Sequence, residues 1–445
     1  MRVLVVGATG CIGRALVHAL RSRGQTVIAA SRRDASMPVD YMQPVAPEAW
    51  AERLARARID AVVNCVGILM PSRAQSFDRV HAQGPIELFR GAALAGVSRI
   101  VQVSALGVTE EGGDELPRYI TSKREADRAL TALPLTHAIV RPSLVYGPGS
   151  ASASLFATLA SLPVISLPGG GTQRVQPIHV YEVAESIARW LESKDSSSGV
   201  FELAGPNTMS LREMLAAYRD AMSLSDALWL PLPMVLMQAG ALIAEQLPQR
   251  VFSRDTLRLL ERGNTSSVNA APRLLERAPS TVAVGLRVTP PSPAIDLCVT
   301  LSPAVSWMLR ACVACLWLFT ALISALLPHE SGVLNLLARC GFDGDVGVAV
   351  LVASCTLNTL LGISILRQPG PWTYAAQIGA VLGYTLTAAV NMPELTIDHC
   401  APLLKNLPLL AMLMLLWLAT PANRAPQRES AAPKAAAIVR PVSAA

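Results

Sequence analysis

The sequence predicts a doubly wound parallel α/β sheet followed by a four-helix transmembrane bundle, and three observations predict it. Short β-branched runs alternate with helical stretches through the first 290 residues or so, the pattern of a parallel sheet with crossover connections. A glycine-rich turn directly follows the first strand. Charge is unevenly spread: Lys plus Arg total 38 and Asp plus Glu 32, yet only 14 of these lie after Pro303, mostly between long apolar runs.

In chain order, RVLVV (2–6) reads as a buried strand, Cys11 to Arg23 as a helix, and TVIAA (26–30) and DAVVN (60–64) as strands. A helix from Ser76 to Ala95 leads into RIVQVS (99–104); a helix from Tyr119 to Thr131 precedes the strand THAIVR (136–141). LPGGGTQ (167–173) is a loop and FELAG (201–205) a returning strand. ALWLPLPMVLMQAGALIA (227–244) has 18 residues and no charge, but Pro231 and Pro233 interrupt its start. It is expected as a packed or interfacial helix of a small substrate region; as a fifth crossing it would invert the later topology. The runs 305–327, 346–366, 372–392 and 402–420 each approach the ~20 residues that cross a hydrocarbon core. They contain only Arg310 and Lys405, both near run ends where they can snorkel. The expected organisation is a nucleotide-binding domain over 1–290, a linker over 291–303, a membrane domain over 304–420 and a disordered Ala/Pro-rich tail over 421–445.

With 445 residues the chain has room for about three structural units. A composition 51% apolar and 16% charged is too hydrophobic for intrinsic disorder, and at net +6 too charge-poor for nucleic-acid binding. The apolar start MRVLVVGATGCIG is broken by glycines and lacks the pattern of a signal peptide. Eight cysteines offer one CxxC, Cys312 to Cys315, inside a membrane run, so no metal site is expected.

The first strand runs into Gly7-Ala8-Thr9-Gly10-Cys11-Ile12-Gly13 at the head of a helix. Such glycines allow a tight turn and let the backbone approach a pyrophosphate, whose charge the free helix amides stabilise. The second strand ends Ser31-Arg32-Arg33. An acidic residue there would bind a ribose 2′-hydroxyl, whereas two guanidiniums suit a 2′-phosphate, so NADP is favoured over NAD despite the nearby Asp34. Tyr119 and Lys123 stand at i and i+4, on one helix face, where an ammonium would favour the phenolate and lower the tyrosine pKa. Tyr119 could then protonate a carbonyl oxygen as hydride arrives, or remove the proton in reverse. His179 and Tyr181, before a further helix, are expected to pack or cap.

These motifs resemble the short-chain dehydrogenase/reductase superfamily in its extended and atypical branches, a Rossmann fold. GATGCIG matches its cofactor loop, NCVG (64–67) the strand end that contacts the cofactor, and YITSK (119–123) its YxxxK. RPSLVYGPG (141–149) and QPIHVYEVAESI (176–187) are similar to its segments around nicotinamide and substrate. The resemblance implies cofactor contacts from Gly7, Thr9, Gly10, Cys11, Ile12, Gly13, Arg32, Arg33, Asn64, Val66, Gly67, Lys123 and Pro142, and a catalytic set of Ser104, Tyr119 and Lys123. The segment 105–118 lacks the further tyrosine that many sugar-nucleotide members carry after their serine, which puts an epimerase or dehydratase reading in doubt.

The C-terminal runs, with LLKNLPLLAMLM (403–414), resemble the DoxX-like family of four-helix bacterial membrane domains. Asn358, Gln377, Tyr384, Asn391, Lys405 and Asn406 fall in or near the bilayer, as interhelical hydrogen bonds or as the lining of an internal cavity or redox-partner site. A cytoplasmic nucleotide domain and four crossings put the tail, with Arg424, Arg428, Lys434 and Arg440, in the cytoplasm, as the positive-inside rule requires. Cys340 and Cys400 would then share the oxidising side of a bacterial inner membrane, as a disulfide or as two thiols. The expected function is a membrane-anchored NADP-dependent oxidoreductase acting on an alcohol/carbonyl pair of a small lipophilic, lipid- or quinone-like molecule. The alternative is a noncatalytic NADPH-binding subunit resembling the nucleotide-binding accessory subunit of respiratory complex I.

Overall fold

A computed structural model describes residues 1–32, 36–72, 74–108, 117–194, 196–244, 254–291, 303–329, 332–367, 370–393 and 403–419. Arg33, Asp34, most of the expected linker, Cys400 and the tail lie outside the described residues. The chain divides into two compact units, Met1–Met222 with Leu228–Ile295, and Ser223–Ala227 with Asp296–Ala445.

The first unit opens with β1 (Arg2–Val6), α1 (Cys11–Ser22), β2 (Thr26–Ser31), β3 (Met37–Pro38), α2 (Pro47–Arg56) and β4 (Ala61–Asn64). A π-helical stretch, Asp78–Gln83, runs directly into α3 (Gly84–Leu94), followed by β5 (Arg99–Val103), α4 (Arg118–Thr131), β6 (Thr136–Pro142), β7 (Val145–Tyr146), α5 (Ala151–Ser161) and β8 (Val164–Pro168). The π-helical turn ends where Pro85, lacking an N–H, removes a donor from the α-helical ladder. Next come β9 (Arg174–Val175), β10 (Ile178–His179), α6 (Val180–Glu192), β11 (Gly199–Leu203), β12 (Met209–Ser210), α7 (Leu211–Ala221), β13 (Leu228–Leu232), α8 (Met234–Ala244), α9 (Arg254–Glu261), α10 (Ala271–Leu275) and α11 (Val282–Val288).

Seven strands form one sheet in the order β11-β6-β5-β4-β1-β2-β3, parallel throughout. Because successive strand side chains point to opposite faces, Val3 and Val5 join a core with α1 and α6, while Leu4 and Val6 join another with α2, α3 and α4. Both faces are therefore covered, as a parallel sheet requires. Strand order reverses between β1 and β4, which opens a crevice beyond their carboxyl ends, the ligand position in open α/β sheets. Three two-stranded sheets, β7 with β10, β9 with β12 and β8 with β13, lie outside the seven-stranded sheet.

The expected single helix over 227–244 is corrected: Leu228–Leu232 pairs with β8 as a parallel edge strand, and only Met234–Ala244 is helical. Pro231 and Pro233 explain the division, since proline tolerates an edge strand and disrupts a helix interior. Leu228, Leu230, Val235, Leu236 and Leu242 of this segment are exposed.

The second unit holds α12 (Pro303–Leu326), α13 (Val333–Arg339), α14 (Gly344–Arg367), α15 (Pro371–Asn391) and α16 (Asn406–Leu418). Among the described residues, two helices, Ala304–Leu326 and Gly344–Arg367, are long and apolar enough to cross a membrane. Helix α15 has 21 residues but carries polar side chains that pair across helices. Gln377 accepts from Trp317 Nε1 (3.1 Å) and donates to the Leu361 carbonyl (3.3 Å); the Tyr384 hydroxyl donates to Asn358 (3.1 Å); Asn406 donates to Thr385 (2.7 Å). Gln377 is fully buried, so these bonds satisfy groups that would otherwise be costly away from water.

Candidate active site

The glycine loop is shaped by close backbone packing. Gly7 adopts φ +82°, its amide and that of Ala8 both donate to the Ala30 carbonyl (2.9 and 3.1 Å), and the Gly10 amide closes the turn onto Gly7 (2.9 Å). A Cβ on Gly13 would lie 2.1 Å from the Gly7 carbonyl oxygen, and one on Gly7 would lie 3.0 Å from the Cys65 and Val66 backbone. Only glycine lets the loop, α1 and the end of β4 meet so closely. Helix α1 begins after Gly10 with no side-chain cap, so the amides of Cys11, Ile12 and Gly13 have no intrahelical acceptor. Thr9 is exposed beside them, its carbonyl held by Arg14 (2.5 Å). A cradle that any Cβ would fill, ending on open helix amides, fits the pyrophosphate of a dinucleotide. The thiol of Cys11 donates to the Pro148 carbonyl (3.4 Å), bringing the YGPG segment over the loop, and burial pushes its pKa to about 11.

At the end of β2, Arg32 is exposed and borders a cavity of about 240 Å³ with Tyr41, Trp50, Arg53 and Glu87. Asn64 is directed into the protein: it accepts from the Tyr41 hydroxyl (3.0 Å) and the Val66 amide (3.3 Å) and donates to Gln102 (2.7 Å). Its side chain is thereby spent on holding the ends of β4 and β5 together. Pro142 closes β6, and its carbonyl accepts from the Leu106 amide (3.0 Å).

Helix α4 brings Tyr119 and Lys123 to one face, with the Lys123 ammonium 5.7 Å from the Tyr119 ring centre. Lys123 is buried and spends one donor on the Val103 carbonyl (3.1 Å); a Cβ on Gly67 would lie 3.6 Å from its Nζ, so the β4 turn borders the same space. The expected pKa effect is corrected. Burial pushes Tyr119 up to about 12 and pulls Lys123 down to about 8. Near neutral pH the pair is a phenol beside an ammonium, the state of a proton donor.

Ser104 is placed differently from the reading of a hydroxyl beside Tyr119. Its hydroxyl donates to Asp127 Oδ2 (2.8 Å), and Asp127 lies two helical turns beyond Tyr119. Arg141 binds the same carboxylate (3.1 Å).

His81, which the sequence did not single out, stacks edge-on to Tyr119 with ring centres 5.4 Å apart. Its Nε2 accepts from the Ile68 amide (3.0 Å), so Nδ1 carries the proton and donates to Ser122 Oγ (3.0 Å), which donates to the Tyr119 carbonyl (3.1 Å). Burial first, then the Lys123 charge, lower its pKa to about 2. Asp127 was not singled out either, although its place as the third member of the i, i+4 series that starts at Tyr119 is a signal the sequence carries. His179 caps α6, accepting from the Tyr181 amide at Nδ1 (3.3 Å) and donating from Nε2 to Thr289 (2.8 Å).

Residues 3–204 match the NAD dependent epimerase/dehydratase family and residues 314–414 the DoxX-like family. The chain thus joins an N-terminal domain of the first kind to a C-terminal DoxX-like domain. It is 27% identical over 221 residues to the NADH-ubiquinone oxidoreductase 40 kDa subunit of Neurospora crassa mitochondria, covering 47% of this chain and 57% of that protein. It is 32% identical over 194 residues to a ceramide reductase of Caulobacter vibrioides, covering 42% of this chain and 59% of that protein. The chain therefore spans less than two thirds of these curated relatives. A Staphylococcus aureus nucleoside-diphosphate-sugar epimerase aligns with 64% of this chain and 100% of its own at 17% identity and TM-score 0.52, a likeness of fold.

Proposed function

We propose that the chain is a membrane-anchored oxidoreductase that prefers NADPH and reduces the carbonyl of a lipophilic substrate, with Tyr119 as the proton donor. The observation that carries this reading is the Tyr119–Lys123 pair at the sheet crevice, a phenol held neutral beside a buried ammonium. When bound, the nicotinamide dinucleotide supplies the hydride. The glycine loop and the α1 amides hold its pyrophosphate, Lys123 faces its ribose, and Arg32, with Arg33, favours a 2′-phosphate. Gly67, Val66 and Pro142 shape the backbone walls, and Asn64 braces them. Tyr119 gives its hydroxyl proton to the substrate oxygen as the carbon is reduced, and its raised pKa keeps that hydroxyl protonated near neutral pH. Ser104 supports the site through Asp127 rather than at the reacting oxygen.

A lipophilic substrate is supported by the DoxX-like domain, by the exposed apolar side chains of β13 and α8, and by the ceramide reductase relative. The domain boundaries are proposed at 1–290 and 304–420, with α12, α14, α15 and α16 making four crossings of a bacterial inner membrane and both chain ends cytoplasmic. Two features recommend α15 as an interior helix: its polar groups pair inward, and its length matches a span. A second reading, a noncatalytic NADPH-binding subunit beside a membrane redox partner, is favoured by the respiratory-complex relative. NADPH consumption by the full chain in the presence of lipid extract tests the choice: turnover lost in Tyr119→Phe supports the reductase. NADPH binding without turnover in any extract supports the subunit.

A further inference from the structure

Asp127 takes no part in the proton transfer above, yet it shares α4 with the residues that do. It is buried on α4, one turn beyond Lys123. Burial raises the pKa of Asp127, and Ser104 at the end of β5 and Arg141 of β6, both donating to its Oδ2 at 2.8 and 3.1 Å, work against that shift in favour of the carboxylate. Its Oδ1 is buried with no hydrogen-bond partner among the described residues.

Lys123 is equally buried, and an ammonium removed from water without a nearby anion sheds its proton. The titratable groups around it come from several elements: Cys65 after β4, His81 on the π-helical turn, Tyr119 and Asp127 on α4, and Arg141 behind Asp127. Burial holds Cys65, Tyr119 and His81 neutral. The nearby pairs Arg79–Glu87 and Arg118–Asp78 are engaged with each other (2.9 and 3.2 Å). Asp127 is itself paired with Arg141 (3.1 Å), and it is the anion that the end of β5 brings towards Lys123: Lys123 binds the Val103 carbonyl and Asp127 binds the next residue, Ser104.

We propose that Asp127 is the internal counter-ion that keeps Lys123 charged, a positioning residue that sets the pH range over which the site holds a nicotinamide dinucleotide. This rests on the reading of Lys123 as a cofactor ligand. Lys123 loses its proton near pH 8 with Asp127 in place. Without that carboxylate the loss moves down by roughly 1 pH unit or more, the usual effect of an opposite charge at close range.

The test is NADPH affinity of the full chain in detergent, followed by nucleotide fluorescence from about pH 6 to about pH 10. In the wild type the affinity should fall as pH rises through about 8, and Lys123→Met should bind weakly with no such fall. Asp127→Asn should move the midpoint down by roughly 1 unit. Arg141→Gln, which removes the cation behind Asp127, should move it up and carries the test if the Asn variant does not fold. Weaker binding at every pH with an unmoved midpoint in the folded variants would overturn the proposal, as would a fall that persists in Lys123→Met. A wild type that binds no NADPH at any pH would instead overturn the underlying cofactor reading.

Discussion

Replacing His81 by Gln should make the protein less sensitive to acid. His81 is 1% exposed, its Nε2 accepts the Ile68 amide, and its folded pKa is lowered to about 2, from an unfolded value near 6.5. The folded state therefore keeps the ring neutral while the unfolded chain takes up a proton. With the folded pKa below the unfolded one, the stability contribution is whole above about pH 6.5 and is lost as pH falls towards 2. At pH 5 the unfolded chain lies about 1.5 units below its histidine pKa, which favours unfolding by about 2 kcal/mol relative to pH 7. Glutamine can still accept the Ile68 amide but does not titrate, and Asp127 and the other acidic groups act alike in both proteins. Thermal unfolding of the full chain in detergent at the two pH values should show the wild type losing about 4 to 8 °C more than His81→Gln. Parallel losses would refute the neutral buried ring and, with it, the arrangement that keeps a second charge away from Lys123.

Further expectations follow from the loop, the strand end and the membrane helices. Gly13→Ala should destabilise the nucleotide-binding unit by ~3 kcal/mol or more, because the new methyl meets backbone at 2.1 Å. Gly10→Ala, whose methyl meets the Gly7 carbonyl oxygen at a less severe 3.2 Å, should cost less than Gly13→Ala, and the two unfolding curves distinguish them. Arg32→Ala should weaken NADPH by ~1.5 to 3 kcal/mol and spare NADH, read by paired titrations; equal wild-type affinities would reject the NADPH preference. Gln377→Leu should cost ~1 kcal/mol of stability in detergent by removing the bonds to Trp317 and Leu361, and an unchanged melting point would show that the polar seam does not hold the helices.

The alternation of strands and the glycine loop were legible because short continuous β-branched runs and a turn that excludes Cβ atoms leave local marks. Tyr119 and Lys123 were legible for a similar reason, their spacing on one helix face. The fate of Ser104 was not, since only the assembled sheet brings Asp127 and Arg141 to its hydroxyl. His81 gave no signal because a lone histidine in a helix acquires meaning only from the Ile68 amide and Ser122 it meets in space. The direction of the Tyr119 shift also depended on tertiary structure: spacing revealed the neighbouring ammonium but not the burial that raises the tyrosine pKa. In the second unit, polar residues within apolar runs were visible, but the choice between a lined cavity and paired helices needed partners such as Trp317 for Gln377.

The most direct measurement is deuteride transfer. Full-length protein in lipid nanodiscs, incubated with NADPH deuterated at C4 in either configuration and with lipid extract, is followed by mass spectrometry of the lipids. The account predicts a reduced lipid carrying one deuterium from one of the two labelled cofactors, formed by the wild type and absent with Tyr119→Phe, although that variant still binds NADPH. Equal labelling by the two proteins, or NADPH bound by the wild type with no labelled lipid from any extract, would contradict it.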